Sequence, residues 1–470
     1  MTEAAALRVE IEELTRAITR QTKLLNEMQT KLDLLQEELR SIPYPILTLP
    51  TEIISKICVH SLPTTGFCFQ TDSAPIVHTR ISRLWRAIAI STPALWTWVR
   101  AWMPEKGWKN IFGLLDLWFS RSGDLPLAVN ISGDLGWTKA STADGFFAIL
   151  QKYSPRIRSL KLNMSSEDLL RLDTFDFQWD SLKTFSFGLL YEITPTFTPV
   201  FTFLHTAATL RDVELSSMLP SMFDVPWANV AKFDGAFYTT RESLQVFDLL
   251  ANAEDMELVM YAAPDDGREE SPNPVVYENI RRFCITDQGS PNDLSHPLEC
   301  FTFPQLITLE LKDEIDGDAL DLFFRRSRCP LQKLVLTSGE VLSDVSIDTF
   351  TQLPSLLDLT LCSPSQTFLG DLLREYAGQA GFLPNLECLA ITCQFPDQIS
   401  LDILVDYVGL KLKQRRESLP DAKLPKSLRL VTETTESMRY QFSERRLSVY
   451  RELRSEGVQV EIVGGDFVIF

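Results

Sequence analysis

Apolar positions in the first forty residues recur with gaps of four and three in strict alternation. Leu7, Ile11, Leu14, Ile18, Gln21, Leu25, Met28, Leu32, Leu35, Leu39 and Ile42 keep this spacing without a slip. Ten of the eleven are apolar, which predicts a helix with a narrow coiled-coil seam rather than a broad globular face. Glu10, Glu12, Arg16, Arg20, Lys23, Glu27, Lys31 and Glu37 lie between them as solvated flanks, and Pro43 and Pro45 end the helix. Residues 7–42 would make a rod roughly 54 Å long. So narrow a seam needs a partner, either a second copy of the chain or the chain's own body. Ile11 and Ile18 on one row, opposite Leu7 and Leu14 on the other, fit a parallel homodimer. Gln21 either sets its register or is a tolerated polar residue.

From residue 150 onward a different pattern returns: apolar, two residues, apolar, one residue, apolar. Its ten copies begin at Ile157, Leu182, Leu210, Val230, Ala253, Ile280, Leu306, Leu331, Leu356 and Leu386, at intervals of 20 to 30 residues. That range matches leucine-rich repeats. In each copy the last two apolar residues point inward from a short strand, with an outward residue between them. The stretches 239–251, 316–328 and 368–380 read as helices that return the chain. Residues 444–454 read as a helix and 458–462 as a strand, forming a C-terminal cap. The alternative is an α/β domain with coincidentally spaced strands, which would also have parallel strands and crossover helices.

The outward positions of the middle copies include Asp212, Glu214, Asp234, Asp255, Glu257 and Glu310. They are either an ordinary solvated face or an acidic concave surface that recruits a basic target segment.

Between the seam and the repeats lies Leu49-Pro-Thr-Glu-Ile-Ile-Ser-Lys-Ile57. It is followed by Ile81-Ser-Arg-Leu-Trp-Arg-Ala-Ile-Ala-Ile-Ser-Thr-Pro-Ala-Leu-Trp96. Proline at a helix start before apolar residues at helical spacing predicts a short amphipathic helix. Ile81, Leu84, Trp85, Ile88 and Ala89 form a second stripe, which Thr92-Pro93 breaks. These residues resemble an F-box. Leu49, Pro50, Glu52, Ile53 and Ile57 stand at its opening L-P-x-E-[I/L] helix. Ile81, Arg83, Trp85, Arg86 and Ile88 stand at its second helix, and Pro93, Leu95 and Trp96 at its closing P-x-L-W turn. Residues 117–127 resemble the stretch after the F-box in an expanded family from mushroom-forming fungi. Departures are Ser82 at the common cysteine position, Leu84 where a polar residue is usual, and a loop between Pro63 and Pro75.

The resemblance implies docking on a Skp-type adaptor, and through it on a cullin. Leu49, Pro50, Glu52, Ile53, Ile57, Ile81, Trp85, Pro93, Leu95 and Trp96 would be the contact residues. It also implies a leucine-rich-repeat-like C-terminal domain that binds a target for ubiquitin transfer. The expected α/β organisation is a coiled coil over 1–42, an F-box-like helical domain over 43–130, and an irregular solenoid with a C-terminal cap over 131–470. Dimerisation would run through Leu7, Ile11, Leu14, Ile18, Leu25, Met28, Leu32, Leu35 and Leu39.

Charge refines this picture. Against 45 basic residues stand 63 acidic ones. Basic residues gather at 75–110, where six face a single acid, and residues 111–470 carry a net −20. Such a field disfavours nucleic acid and anionic membranes and favours basic partners. No apolar run reaches membrane-spanning length, and the N-terminus lacks a signal layout. The eight cysteines have no repeated spacing, as reduced thiols of a cytoplasmic or nuclear protein would.

No nucleotide-binding, nucleophile-elbow or zinc spacing occurs, so neither catalytic activity nor a cofactor or metal is expected. The acids at 265–270 belong to a predicted exposed loop over 263–274. Two rival readings stand beside the ligase subunit: a coiled-coil scaffold that has lost the adaptor, and an enzyme with an unfamiliar site.

Overall fold

The computed structural model describes residues 3–41, 49–63, 73–102, 108–133, 140–190, 200–260, 274–287, 295–312, 317–342, 345–393, 401–432, 444–464, 467–468 and 470. Ile42 and almost all of the loop predicted at 263–274 lie outside these residues, as do 64–72. The chain divides into two compact units, Met1–Trp96 and Thr97–Phe470.

The first unit opens with α1 (Glu3–Ser41), a single helix as the heptads predict. At about 1.5 Å per residue it is roughly 58 Å long. Its seam is exposed from Leu7 to Leu39. Then come α2 (Thr51–His60), α3 (His78–Ile81), α4 (Arg83–Ser91) and a 3₁₀ turn at Pro93–Trp96. The second predicted helix is thus broken before Arg83. Ser82 is extended (φ −156°, ψ 170°), and its hydroxyl accepts from the Trp85 amide at 3.2 Å. Serine here is an N-cap, which starts α4 afresh. Ile54, Cys58, Trp85, Ile88, Ala89, Leu95 and Trp96 are buried in this unit. Trp96 Nε1 donates to the Ala89 carbonyl (2.9 Å), and Ser55 and Thr92 hydroxyls meet at 3.1 Å.

The second unit is a large, mostly parallel sheet with helices in its connections. Its strands are β1 (Trp98–Trp102), β2 (Leu127–Ser132), β3 (Ile157–Met164), β4 (Thr184–Leu189), β5 (Asp212–Ser216), β6 (Lys232–Tyr238) and β7 (Asp255–Met260). They continue through β8 (Val275–Val276), β9 (Arg282–Asp287), β10 (Phe301–Thr302), β11 (Thr308–Lys312), β12 (Lys333–Leu342), β13 (Asp358–Pro364) and β14 (Cys388–Cys393). The last are β15 (Ser427–Thr432), β16 (Gln459–Gly464) and β17 (Phe467–Val468). Strands β8 and β10 form a separate pair. The other fifteen lie in chain order, parallel except for β17, which turns back antiparallel on β16 and closes that edge.

The helices are α5 (Trp108–Arg121), α6 (Ala140–Tyr153), α7 (Ser166–Leu172), α8 (Thr240–Leu249), α9 (Ser295–Cys300), α10 (Gly317–Ser327), α11 (Ile347–Thr351), α12 (Gln366–Gly378), α13 (Leu401–Ser418) and α14 (Glu444–Ser455). Parallel strands in chain order, with helices in most of their connections, make a solenoid-like α/β arrangement. Among the described residues no helix is long and apolar enough to cross a membrane.

All ten repeated triplets fall at strands, and their central apolar residues share one register. The row runs Leu160, Phe185, Val213, Phe233, Met256, Phe283, Leu309, Leu334, Leu359 and Leu389. Val99 and Val129 extend it at one end, and Leu428 and Val460 at the other. Residues 98–130, which the patterning groups with the helical segment 43–130, therefore supply β1 and most of β2 of this sheet.

Gly235 interrupts the second inward row for a local reason. A Cβ there would stand 2.4 Å from Tyr238 Cε2. Phe237 has φ 68° and the β6–β7 register slips at this point, a one-residue bulge that turns Tyr238 inward. Its ring stacks on Phe233 (centroids 6.4 Å apart), and its hydroxyl donates to the Met218 carbonyl at 2.5 Å.

Between β4 and β5, residues 202–211 make only turns. Phe203 from this stretch packs edge to face on Phe185 and Phe223, Phe185 also meets Phe223 edge to face, and Phe201 lies tilted against Phe223.

Candidate functional site

Two surfaces carry the predicted site residues, one in each unit. In the first unit the helical spacing of α2 divides its isoleucines. Ile54 is buried, while Ile53 and Ile57 are 42% and 39% exposed. Ile81, at the end of α3, is 52% exposed, and Leu84 and Ile90 on α4 are also open to solvent. Pro50, Glu52 and Pro93 are exposed and Leu49 is half-buried. Trp85, Leu95 and Trp96 are buried and shape the unit from within. The ten residues assigned to docking thus split into a surface set and a core set. Next to the core His78, itself buried, shares a 2.9 Å hydrogen bond with the Ser61 hydroxyl. Burial lowers its pKa below the usual imidazole value.

In the second unit the inward rows leave the alternate residues on the open face of the sheet. Glu214, Asp234, Glu257, Cys284 and Glu310 occupy one register row, with Asp212, Lys232, Asp255 and Arg282 in the row beside it. All six predicted acids are on this face, but they are not a bare negative patch. Lys161 reaches over Ser186, small and in register between them, to Glu214 at 2.9 Å. Lys232 meets Asp234 at 3.3 Å and Lys312 meets Glu257 at 3.7 Å. Arg282 contacts three carboxylates: Asp255 at 2.8 Å, Glu257 at 3.4 Å and Glu310 at 3.5 Å. Asp212 accepts from the Thr184 hydroxyl at 3.5 Å.

Four cations among six acids leave a small negative excess, so mutual repulsion of the acids is largely relieved inside the chain. Burial opposes the charge on Arg282. The hydrogen bond and attraction of Asp255, reinforced by Glu310, outweigh it and raise its pKa. Burial also pushes the Asp234 carboxyl above its usual range, despite Lys232 beside it. Under this layer the Cys284 thiol is pushed up to about 11 by burial and by Glu257, and stays protonated at neutral pH.

Sequence reasoning found the acids but not Lys161, Lys232, Arg282 and Lys312. The signal was available, because each of them flanks an inward residue of a repeat.

Among the described residues no group of three or more histidine, cysteine or acidic side chains is placed to hold a metal. Burial also pushes the thiols of Cys300, Cys329 and Cys393 up to about 11, which suits structural thiols rather than nucleophiles. Neither a scan against protein-family models nor a search of curated proteins finds a match to this chain.

Proposed function

We propose that the chain is a recognition subunit. Its small helical unit docks a Skp-type adaptor of a cullin ubiquitin ligase, and the open face of its sheet holds a protein target. The observation that carries the reading is the division within the first unit. Its tryptophan core is closed, yet Ile53, Ile57 and Ile81 remain exposed, and these are three of the ten residues that the F-box resemblance assigns to the adaptor. The neutralised ladder of the second unit argues for a target with charges of both signs and a modest basic excess, rather than a uniformly basic segment. The chain supplies position, and the ligase machinery supplies the chemistry.

Fully burying an isoleucine contributes about 1.5–3 kcal/mol, so the exposed half of each of these three is worth about 1 kcal/mol on docking. Ile53→Ala, Ile57→Ala and Ile81→Ala together should weaken adaptor binding roughly 100-fold. The melting temperature should stay unchanged. The measurement is binding of the purified full chain to a Skp-type adaptor by calorimetry, with recovery of adaptor and cullin from cell extract alongside. A wild-type chain that binds no adaptor in either assay refutes the ligase reading and leaves a scaffold.

A further inference from the structure

The apolar side chains of the α1 seam from Leu7 to Leu39 are all more than half exposed, and Gln21 among them is exposed too. A narrow aliphatic stripe over about five heptads calls for a second helix. Another copy of α1 offers a seam of the same length and spacing, so it covers all of these residues at once. One polar residue then decides between the ways two copies can meet.

Two rows build the seam. One holds Ile11, Ile18, Leu25, Leu32 and Leu39, and the other holds Leu7, Leu14, Gln21, Met28 and Leu35. In a parallel pair each row meets itself, whereas in an antiparallel pair each meets the other. An antiparallel pair therefore sets Gln21 of each copy against an aliphatic residue of the first row, in every register that keeps it within the seam. A parallel pair shifted by one heptad sets it against Leu14 or Met28. Only the parallel pair in register brings the two Gln21 side chains into one layer, where each amide has the other as its hydrogen-bond partner. The alternatives bury two amides that lack one, and each costs free energy.

The flanks agree. In a parallel pair the residues just before the first row face those just after the second, five positions on. Glu3 then meets Arg8, Glu10 meets Thr15, Ala17 meets Thr22, Leu24 meets Gln29 and Lys31 meets Gln36. Opposite charges meet once on each side, and none of these pairs sets like charges together. The antiparallel register that pairs Glu10 with Lys31 also opposes Glu3 and Glu38, so charge gives it no advantage. Ile11 and Ile18 in the first row, with Leu7 and Leu14 in the second, suit two strands.

We propose that α1 forms a parallel, in-register pair with a second copy of the chain, locked by a layer in which the two Gln21 side chains meet. Both copies then leave the rod at Ser41 on the same end, with helix axes about 10 Å apart. Two recognition subunits are thereby tethered side by side, so a target that presents two sites is held at a raised effective concentration. The pairing rests on α1 alone and stands whether or not the adaptor docks.

The test places opposite charges at the decisive layer of the full-length chain and reads the dimer dissociation constant by sedimentation equilibrium at neutral pH. Gln21→Glu and Gln21→Lys should each raise it more than about 30-fold, equivalent to about 2 kcal/mol. An equimolar mixture of the two variants should return it to within about fivefold of wild type, because only in the parallel register do the introduced charges face each other. In an antiparallel or shifted pair each charge faces an apolar side chain, and mixing rescues nothing. Independently, nitroxides on a keto amino acid at position 37, on the side of α1 away from the seam, should lie within about 35 Å of each other. An antiparallel pair with full overlap would hold them about 52 Å apart along the rod. A monomeric wild type, an assembly larger than a dimer, single variants that dimerise as wild type, a mixture no tighter than either variant alone, or a label distance beyond about 35 Å would each overturn the proposal.

Discussion

Arg282→Met is the sharpest probe of the open face, because one side chain there holds three strands together. Methionine keeps most of the stem and removes the charge that Asp255, Glu257 and Glu310 share at 2.8, 3.4 and 3.5 Å. These side chains are between 17% and 32% exposed, so neither extreme of ion-pair energetics applies. Exposed pairs contribute about 0.2–1 kcal/mol, and breaking a buried pair costs about 3–5. Three partly exposed contacts on one guanidinium place the loss at about 2–3 kcal/mol. Over the roughly 370 residues of the second unit, an unfolding entropy of about 2.1 cal/mol/K per residue converts this into a melting-point drop of about 3 °C.

Calorimetry at neutral pH and low salt measures the drop directly. Two controls separate charge from packing. Raising the salt to about 0.5 M should shrink the loss, and adding Glu257→Gln and Glu310→Gln to Arg282→Met should recover more than half of it. A drop below about 0.5 °C, or a triple variant no better than the single, would show that the cluster is solvated surface with no coupling between its strands.

Two further outcomes follow from the geometry. Gly235→Ala drives a methyl into Tyr238 and Phe233, and overpacking of this kind costs about 1–3 kcal/mol. A denaturant midpoint equal to wild type would mean the bulge at Phe237 yields freely. For His78, burial lowers the folded pKa, so the stability it contributes is complete above the ordinary value of 6.5 and is lost as pH falls through the lower folded value. Hydrogen exchange in α2 and α4 should therefore accelerate between pH 7 and pH 5, and His78→Gln should flatten that dependence.

Much of the fold was legible because one physical demand repeats. Each strand must bury two alternate residues, so Leu309 and Leu311 announce β11 as plainly as Leu359 and Leu361 announce β13. The ends were harder to see. Strand β2 begins its pattern at Pro126 and β15 at Pro425, so the first apolar position of the triplet is missing there although Val129 and Leu428 take their places in the ladder. The break before α4 was hidden for a different reason. Ser82 sits inside a helical stripe, and only its cap to the Trp85 amide shows that the stripe restarts.

The site was legible in residue type and not in electrostatics. Asp234 and Glu257 stand out in sequence as outward residues of neighbouring repeats, and on that basis a basic partner is needed to relieve them. What relieves them is set by register. Lys161 is 53 residues from Glu214, and Arg282 is 27 from Asp255 and 25 from Glu257. A spacing of about 4.8 Å between strands turns those separations into contact. The open face therefore begins as a nearly balanced charge lattice. A target that binds there must replace the ion pairs it breaks, which makes affinity depend on matching the order of charges across β5 to β11 rather than on net charge. Recognition of that kind would favour specificity over strength, which is what the proposed function asks of this face.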